Sequence, residues 1–538
     1  LVGAAGLTVA GDADIDGTLE TDNLTVGGSQ GSDGQVLTST GSGVGWEDAS
    51  GASDIDGLSD CLVENDSIWL GNDPSGTTDT AQYNVAVGIG AMDAITSGDY
   101  NTAIGYNALS ALTSGSKNTA IGRNTLSADT DMIGNIAIGS SALAAATGNY
   151  NIAIGDDCAD QLTSGSHNIA MGLNALGAVV TGSNNIGIGR QVGISITSAA
   201  SNTLIGTYAG DALTDGGFNT ALGEYALSSS ASGTYNTALG WRAMGTGNVS
   251  GGYNVAIGYK AGEDMTSAAS SVIIGRDAGV AITTGDKNIA VGESALFSAT
   301  DSDFNMGVGL AAGYGITSGT GNVALGHEAI AGNSTCTGHY NNGMGKYALR
   351  NITSGSSNTA LGYWAGVSLT TGDNNLLLGK DAGYTGSPGG NITTADNIIV
   401  LGDENISAAN IQVDWTVASD KRDKTDVSPM DLGLEFINQL EPVTYRWDKR
   451  SKYSDDQSAI PDGTHKEEQL EGGFLAQDVE AIEEQYGHKL SDKTNLTFHL
   501  SGDEKMYGIK YSKFVPMLVN AIQELSAEVE ELKSKLEG

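Results

Sequence analysis

Residues 101–122 read NTAIGYNALSALTSGSKNTAIG, so the five letters that open the stretch return seventeen residues later to close it. The element is Asn-x-Ala-apolar-Gly. It begins at Asn84, Asn101, Asn118, Asn135, Asn151, Asn168, Asn185, Asn202, Asn219 and Asn236. It continues at Asn254, Ser271, Asn288, Asn305, Asn322, Asn341, Asn358 and Asn375, and nearly every step is 17 residues. Seven residues after the Asn comes a second recurring position, held by Ala108, Ala142, Ala175, Ala209, Ala226, Ala243, Ala261 and Ala278, followed by a turn cluster such as TSG or TTG.

A unit this short cannot bury its own apolar side, so successive copies must stack. Two helices with their turns need about 33 residues, which leaves short strands and turns. The predicted fold is therefore mainly β, a β-solenoid or β-roll of about 18 coils over residues 81–402. In each coil the segment NTAIG supplies a strand, and its Gly takes the positive φ of a sharp turn. The Asn bonds local backbone or stacks on the Asn of the next coil as a ladder. The apolar fourth position (Ile104, Ile121, Ile138, Ile154, Met171) is expected to point inward, and the Ala two places after the Asn to suit close approach between chains. Strands stacked about 4.8 Å apart would extend roughly 85 Å.

Outside the repeat the composition changes. Residues 1–418 hold 70 of the 78 glycines and 49 of the 89 formal charges, and residues 419–538 hold the other 40 charges. Residues 1–80 read as a β-rich stalk, with alternating strands in Leu7–Val26 and a small β element over Gly34–Trp46. Residues 403–418 read as a linker. The net charge of −39 argues against a nucleic-acid partner, because phosphate binding needs clustered Lys and Arg. Cys61, Cys158 and Cys336 lie far apart and the six histidines are scattered, so no metal site, disulfide framework or cofactor is expected. No apolar run reaches the length of a membrane span. The chain opens on Leu, as a piece of a longer protein lacking its N-terminal anchor would.

Four blocks mark residues 419–538. SDKRDK runs from Ser419 to Lys424, LGLEFINQLEPVTYRWD spans 432–448, GFLAQDVE spans 473–480, and YGIKYSKFVPMLVNAIQEL spans 507–525. In this order they resemble the endosialidase-type intramolecular chaperone domain, a family of auto-processing peptidases. The repeats are similar to the NTAIG/NTALG repeats of phage tail-fibre-like proteins and to the heads of trimeric autotransporter adhesins, whose period is nearer 14. The resemblance implies a homotrimer, a small α/β chaperone domain that registers three chains, and a self-cleaving Ser-Lys dyad. Carried onto this sequence, Ser419 is the nucleophile and Lys424 the general base. The cut falls at Ala418–Ser419 or the neighbouring bond, Asp420 orients the turn, and Arg422 with Lys421 would press on Lys424 once trimer assembly buries the site. A serine hydroxyl needs such a base, and a lysine serves only when neutral.

The tail carries Val515, Leu518, Ile522, Leu525, Val529, Leu532 and Leu536 at alternating steps of three and four, a heptad seam for a coiled coil from about residue 512. The functional expectation is a virion tail fibre, synthesised in the host cytoplasm and without membrane insertion. It would attach to a host-surface glycan or protein receptor, and its only enzymatic act would be to cut itself. Candidate receptor stretches are the longer coils at Gly245–Gly252 and Gly332–Tyr340. The alternatives are a fibre-borne polysaccharide depolymerase, which would need paired carboxylates in a cleft, and a bacterial surface adhesin with a non-cleaving chaperone domain.

Overall fold

The structure, a computed structural model, describes short strands at 25–26, 29–30, 35–39 and 44–48, and residues 61–71, 78–178, 181–332, 335–412, 415–454, 458–501 and 504–538. The chain divides into two compact units, Leu1–Asp156 and Asp157–Gly538.

In the first unit, Gln35–Ser39 pairs antiparallel with Val44–Asp48, which places a hairpin where the sequence predicts a small β element. Of the strands expected over Leu7–Val26, all but Thr25–Val26 lie outside the described residues. A second hairpin, Cys61–Glu64 with Ser67–Leu70, turns through Asn65 and Asp66, both at positive φ, as a two-residue type I′ turn requires. Ser67–Leu70 then pairs in parallel with Val85–Val87, the first of five repeat strands that continue through Ile152–Ile154. In the second unit fourteen such strands run from Ile169–Met171 to Ile399–Leu401. Each pairs in parallel with the equivalent strand of the next coil. The repeat is a β-solenoid.

Corners are made by left-handed residues. In the coil opening at Asn101 these are Gly105 (φ 136°), Asn107 (φ 55°), Leu109 (φ 54°) and Lys117 (φ 62°). Glycine is required at the first of them for a second reason. A Cβ on Gly309 would sit 2.8 Å from the carbonyl oxygen of Gly326, which holds the same place one coil on. At Leu109 the left-handed backbone costs about 1–2 kcal/mol, and burying the side chain returns about 1.5–3 kcal/mol. Burial wins, and Leu109 is fully buried.

The recurring Asn is buried, and within a unit it is hydrogen-bonded to the coils before and after it. Asn202 donates its backbone N–H to Asn185 Oδ1 (3.1 Å), and its Nδ2 donates to Asn185 Oδ1 (3.1 Å) and to the Gly216 carbonyl (3.1 Å). Its own Oδ1 accepts from the N–H (2.9 Å) and Nδ2 (3.1 Å) of Asn219. The Asn therefore does both things expected of it, ladder and local bond. Ile398 takes its place in the last coil and donates to Asn375 Oδ1 (2.9 Å).

Two expectations are overturned. The strand's central residue, not its last, points into the coil. Ala103, Ala120, Ala137 and Ala153 are fully buried, whereas Ile104 and Met171 are exposed and Ile121, Ile138 and Ile154 are partly so. Side chains alternate along a strand. With the Asn two residues earlier turned inward, the Ala is inward and both neighbours face out. The Ala positions consequently fill their own coil and are closed to any other chain, so the row offered outward is the Thr/Val/Ile row on either side of them.

In several coils the interior is size-matched. Ala221 and Ala290 stand with Leu227 and Leu296 six residues on, whereas Leu204, Ile273 and Leu377 stand with Gly210, Gly279 and Gly383. A Cβ on Gly210 would lie 3.0 Å from Leu204 Cδ1, and one on Gly279 3.1 Å from Ile273 Cδ1. One large side chain fits, from either position.

The C-terminal part of the second unit has its own core of Leu432, Phe436, Val479, Phe514 and Met517. It joins helices α1 (Leu434–Gln439), α2 (Ala476–Glu483) and α3 (Phe514–Glu537). Two antiparallel pairs complete it, Val443–Tyr445 with Glu471–Gly473 and Phe498–Leu500 with Tyr507–Ile509. Among the described residues no helix is long and apolar enough to cross a membrane.

Two outcomes follow. Ala221→Leu should destabilise its coil by about 1–3 kcal/mol through overpacking, and adding Leu227→Gly should restore most of it. Denaturation of both singles and the double gives the coupling, and additive losses would refute the size match. Asn202→Ala strands the Asn219 N–H and the Gly216 carbonyl, at about 1–3 kcal/mol each. Hydrogen exchange should show protection lost at these coils and kept in distant ones.

Candidate functional site

The residues that the sequence singles out at the start of the C-terminal region lie together, because a single tight turn folds the chain back on itself. Asp420 is the N-cap of a one-turn 3-10 helix, Lys421–Asp423, and its carboxylate accepts from the Arg422 N–H (2.9 Å). The turn closes with Lys424 N–H donating to the Lys421 carbonyl (3.3 Å). That reversal brings Lys424 Nζ to 2.6 Å from Ser419 Oγ, five residues away in sequence.

Arg422 does not lean on Lys424. Its Nε donates to Asp420 Oδ1 (3.1 Å) and its Nη2 to Oδ2 (2.6 Å), so one carboxylate takes both the turn's N–H and the guanidinium. The Arg422 side chain and N–H hold the Asp420 carboxyl below the ordinary carboxylate range. Lys421 is exposed. Ala418, Ser419 and Lys424 are all exposed, and upstream of them Trp415 and Val417 stand about three-quarters in solvent. In the single chain, then, Ser and Lys are positioned but unshielded.

With that geometry in view, the comparison with known families is specific. Residues 419–488 match the family described as chaperone of endosialidase. The similarity runs from the first residue of the C-terminal region through α2. The match begins at Ser419 itself. No curated protein matches the chain.

Several residues that hold the C-terminal domain together were not legible as such in the sequence. Glu483 is fully buried and accepts from the N–H groups of Leu496 (2.9 Å) and Thr497 (2.7 Å) and from the Thr497 hydroxyl. It sits in a run, EAIEE, in which any glutamate reads as solvated. Glu524 on α3 accepts from the Leu434 N–H (2.6 Å), capping α1, which has no side-chain cap of its own. Lys449 donates to the Glu404 carbonyl and Lys452 to Asn405 Oδ1, which ties the domain to the residues just after the last solenoid strand.

Helix α3 has two apolar stripes. Phe514, Met517 and Ala521 face the domain core. The heptad residues Val515, Leu518, Ile522, Leu525, Val529, Leu532 and Leu536 are all exposed. The seam read from the sequence is therefore not the stripe that packs the domain.

The two longer coils behave differently from loops. In Gly245–Gly252, Val249 is buried and Asn248 Oδ1 accepts from the Ala231 N–H (3.1 Å). In Gly332–Tyr340, Cys336 is buried and forms a parallel bridge with Ile316, and burial pushes its thiol up to about 11. His339 Nδ1 accepts from the Thr320 N–H (3.0 Å).

Proposed function

We propose that the chain is a subunit of a homotrimeric fibre of the phage tail-fibre type, made for attachment to a host surface and matured by cutting at Ser419. The observation that carries the reading is the 2.6 Å contact of Lys424 Nζ with Ser419 Oγ at the first residues of a chaperone-of-endosialidase domain.

Trimerisation is supported by two apolar surfaces that a lone chain leaves wet. One is the heptad seam of α3, whose 3,4 spacing suits knobs-into-holes packing with copies of itself. The other is the outward row of the strand ladder, which in the second unit exposes Met171, Leu222, Leu239, Val308, Met344 and Leu361. Contiguous apolar surface of this kind marks an interaction face.

The chemistry then depends on assembly. In the single chain Lys424 Nζ is exposed and contacts Ser419 Oγ. Neighbouring chains that cover the turn desolvate it and favour the free amine. Neutral Lys424 takes the Ser419 hydroxyl proton as Oγ attacks the Ala418 carbonyl carbon. Collapse of the tetrahedral adduct breaks the Ala418–Ser419 C–N bond, and Lys424 returns the proton to the departing Ser419 nitrogen. The resulting ester is hydrolysed by water, leaving the Ala418 carboxylate and a free Ser419 amine and hydroxyl. Asp420 and Arg422 hold the turn that sets this geometry.

Intact mass of the purified wild type, beside Ser419→Ala and Lys424→Ala, tests the reading. Two wild-type fragments divided at Ala418–Ser419, with both variants whole and trimeric, are expected. A wild type that stays whole as a trimer would leave a chaperone clamp without peptidase activity.

A further inference from the structure

Along the solenoid of the second unit, aromatic side chains at equivalent positions of successive coils stack as rungs. Ring centroids are 5.1 Å apart for Tyr208–Tyr225, 4.8 Å for Phe218–Tyr235, 4.9 Å for Tyr235–Tyr253 and 4.9 Å for Trp241–Tyr259. The position nine residues after the Asn is one such row. It reads Phe297, Tyr314, Ala331, Arg350 in four successive coils. Phe297 and Tyr314 stack at 4.9 Å with planes 10° apart. The next rung is only a methyl group, and the one after it is a guanidinium.

The backbone stays in register across the gap. Gly313 N–H donates to the Ala329 carbonyl (2.8 Å) and Gly332 N–H to the Arg350 carbonyl (2.5 Å), so the coils have not moved apart or closed up. What is missing is a side chain. The space left is a cleft of about 330 Å³ lined by Ala311, Tyr314, Glu328, Ala331, Gly332 and Arg350. Its floor is small residues, one wall is the ring of Tyr314, and its far side is polar. There Arg350 Nη2 pairs with Glu328 Oε2 (2.7 Å), with the guanidinium lying over the Tyr347 ring at 4.8 Å.

We infer that this vacant rung is a carbohydrate subsite that takes one pyranose ring of a surface glycan. The inference rests on the attachment reading only for the source of the sugar. A ring seated midway between coils two steps apart lies about 4.8 Å from Tyr314, inside the range for stacked rings. The weakly positive C–H face of a pyranose suits the negative face of an aromatic ring. Vicinal hydroxyls can donate to the Glu328 carboxylate and accept from the Arg350 guanidinium at once. A flat aromatic guest would use Tyr314 equally well, but it would cover the Glu328–Arg350 pair and return no hydrogen bond, which is costly. The volume falls at the lower end of the range for small-ligand sites, as one sugar unit requires.

The test restores the missing rung. Ala331→Tyr continues a row that already holds Phe297 and Tyr314 and should leave the thermal midpoint unchanged. The full-length chain is titrated with the methyl α-pyranosides of glucose, galactose, mannose and N-acetylglucosamine, followed by saturation-transfer NMR. At least one is expected to bind the wild type, with affinity falling at least tenfold in Ala331→Tyr. If that variant loses stability, Tyr314→Ser, which removes the wall, must show the same loss. Binding unaffected by either variant overturns the subsite, and so does failure of all four pyranosides to bind the wild type. Retention of the wild-type chain on host cells is measured separately. Cell binding that survives Ala331→Tyr sinks the cleft and leaves attachment standing, whereas pyranoside binding without cell binding does the reverse.

Discussion

A carboxamide in the same buried corner of successive coils is the constraint on which the solenoid depends. Each Asn accepts from the backbone of the following coil and donates to a carbonyl further along its own, so one side chain satisfies donors and acceptors that no strand reaches. Buried backbone groups must be paired. A coil with only three residues of strand has few ladder bonds with which to do it. Serine can substitute at Ser271, where the hydroxyl accepts from the Asn288 N–H (3.1 Å), because the essential service is an acceptor at that point. At the end of the ladder Ile398 suffices, since Asn375 still presents its carbonyl oxygen to it. Everything else in the coil is arranged around this corner. The inward Ala follows from the inward Asn, and the outward aliphatic row follows from the inward Ala.

Much of this was legible in the sequence because it is periodic. Seventeen residues exclude paired helices, and the Asn, Gly and Ala positions stand out by recurrence alone. The direction of the side chains was not legible. Ala103 and Ile104 are both apolar, and hydrophobicity favours the larger residue as the buried one. The choice is made by the Asn, whose burial is a property of the stacked coils and cannot be read from one copy. The size match between Leu204 and Gly210 was hidden for the same reason, since it requires knowing that two positions six apart meet. The last strand, Ile399–Leu401, lies inside the range read as solenoid but was not counted as a coil, because Ile398 replaces the residue by which coils were counted.

In the C-terminal region, legibility ran the other way. A motif of six residues singled out Ser419 and Lys424, and the turn that joins them is capped by Asp420 and closed by the Lys424 N–H on the Lys421 carbonyl. What the sequence could not supply was the context. Arg422, expected beside the lysine, is claimed by Asp420, because a capping carboxylate two residues away offers a guanidinium a two-toothed partner. Glu483 and Glu524, each a single glutamate among many, complete a fold with no apolar signature at those points.

In the proposed trimer, repeat architecture would make a register-setting domain useful. Coils that present nearly the same outward row make a one-coil slip between chains almost neutral in energy, since each lost contact is replaced by its equivalent. The row is not uniform, however. The +9 positions pass from Phe297 and Tyr314 to Ala331 and Arg350, and the left-handed corner positions carry Tyr235 and Tyr253 and then Ser270 and Lys287. These breaks distinguish one register from another only after the coils are aligned, and so cannot guide the alignment. An exposed seam on α3 is free of that ambiguity, because among the described residues it occurs once. A unique contact at one end can fix what a periodic contact along the length cannot. In such a trimer an exposed Ser-Lys pair would respond to the neighbours' arrival rather than to the folding of its own chain.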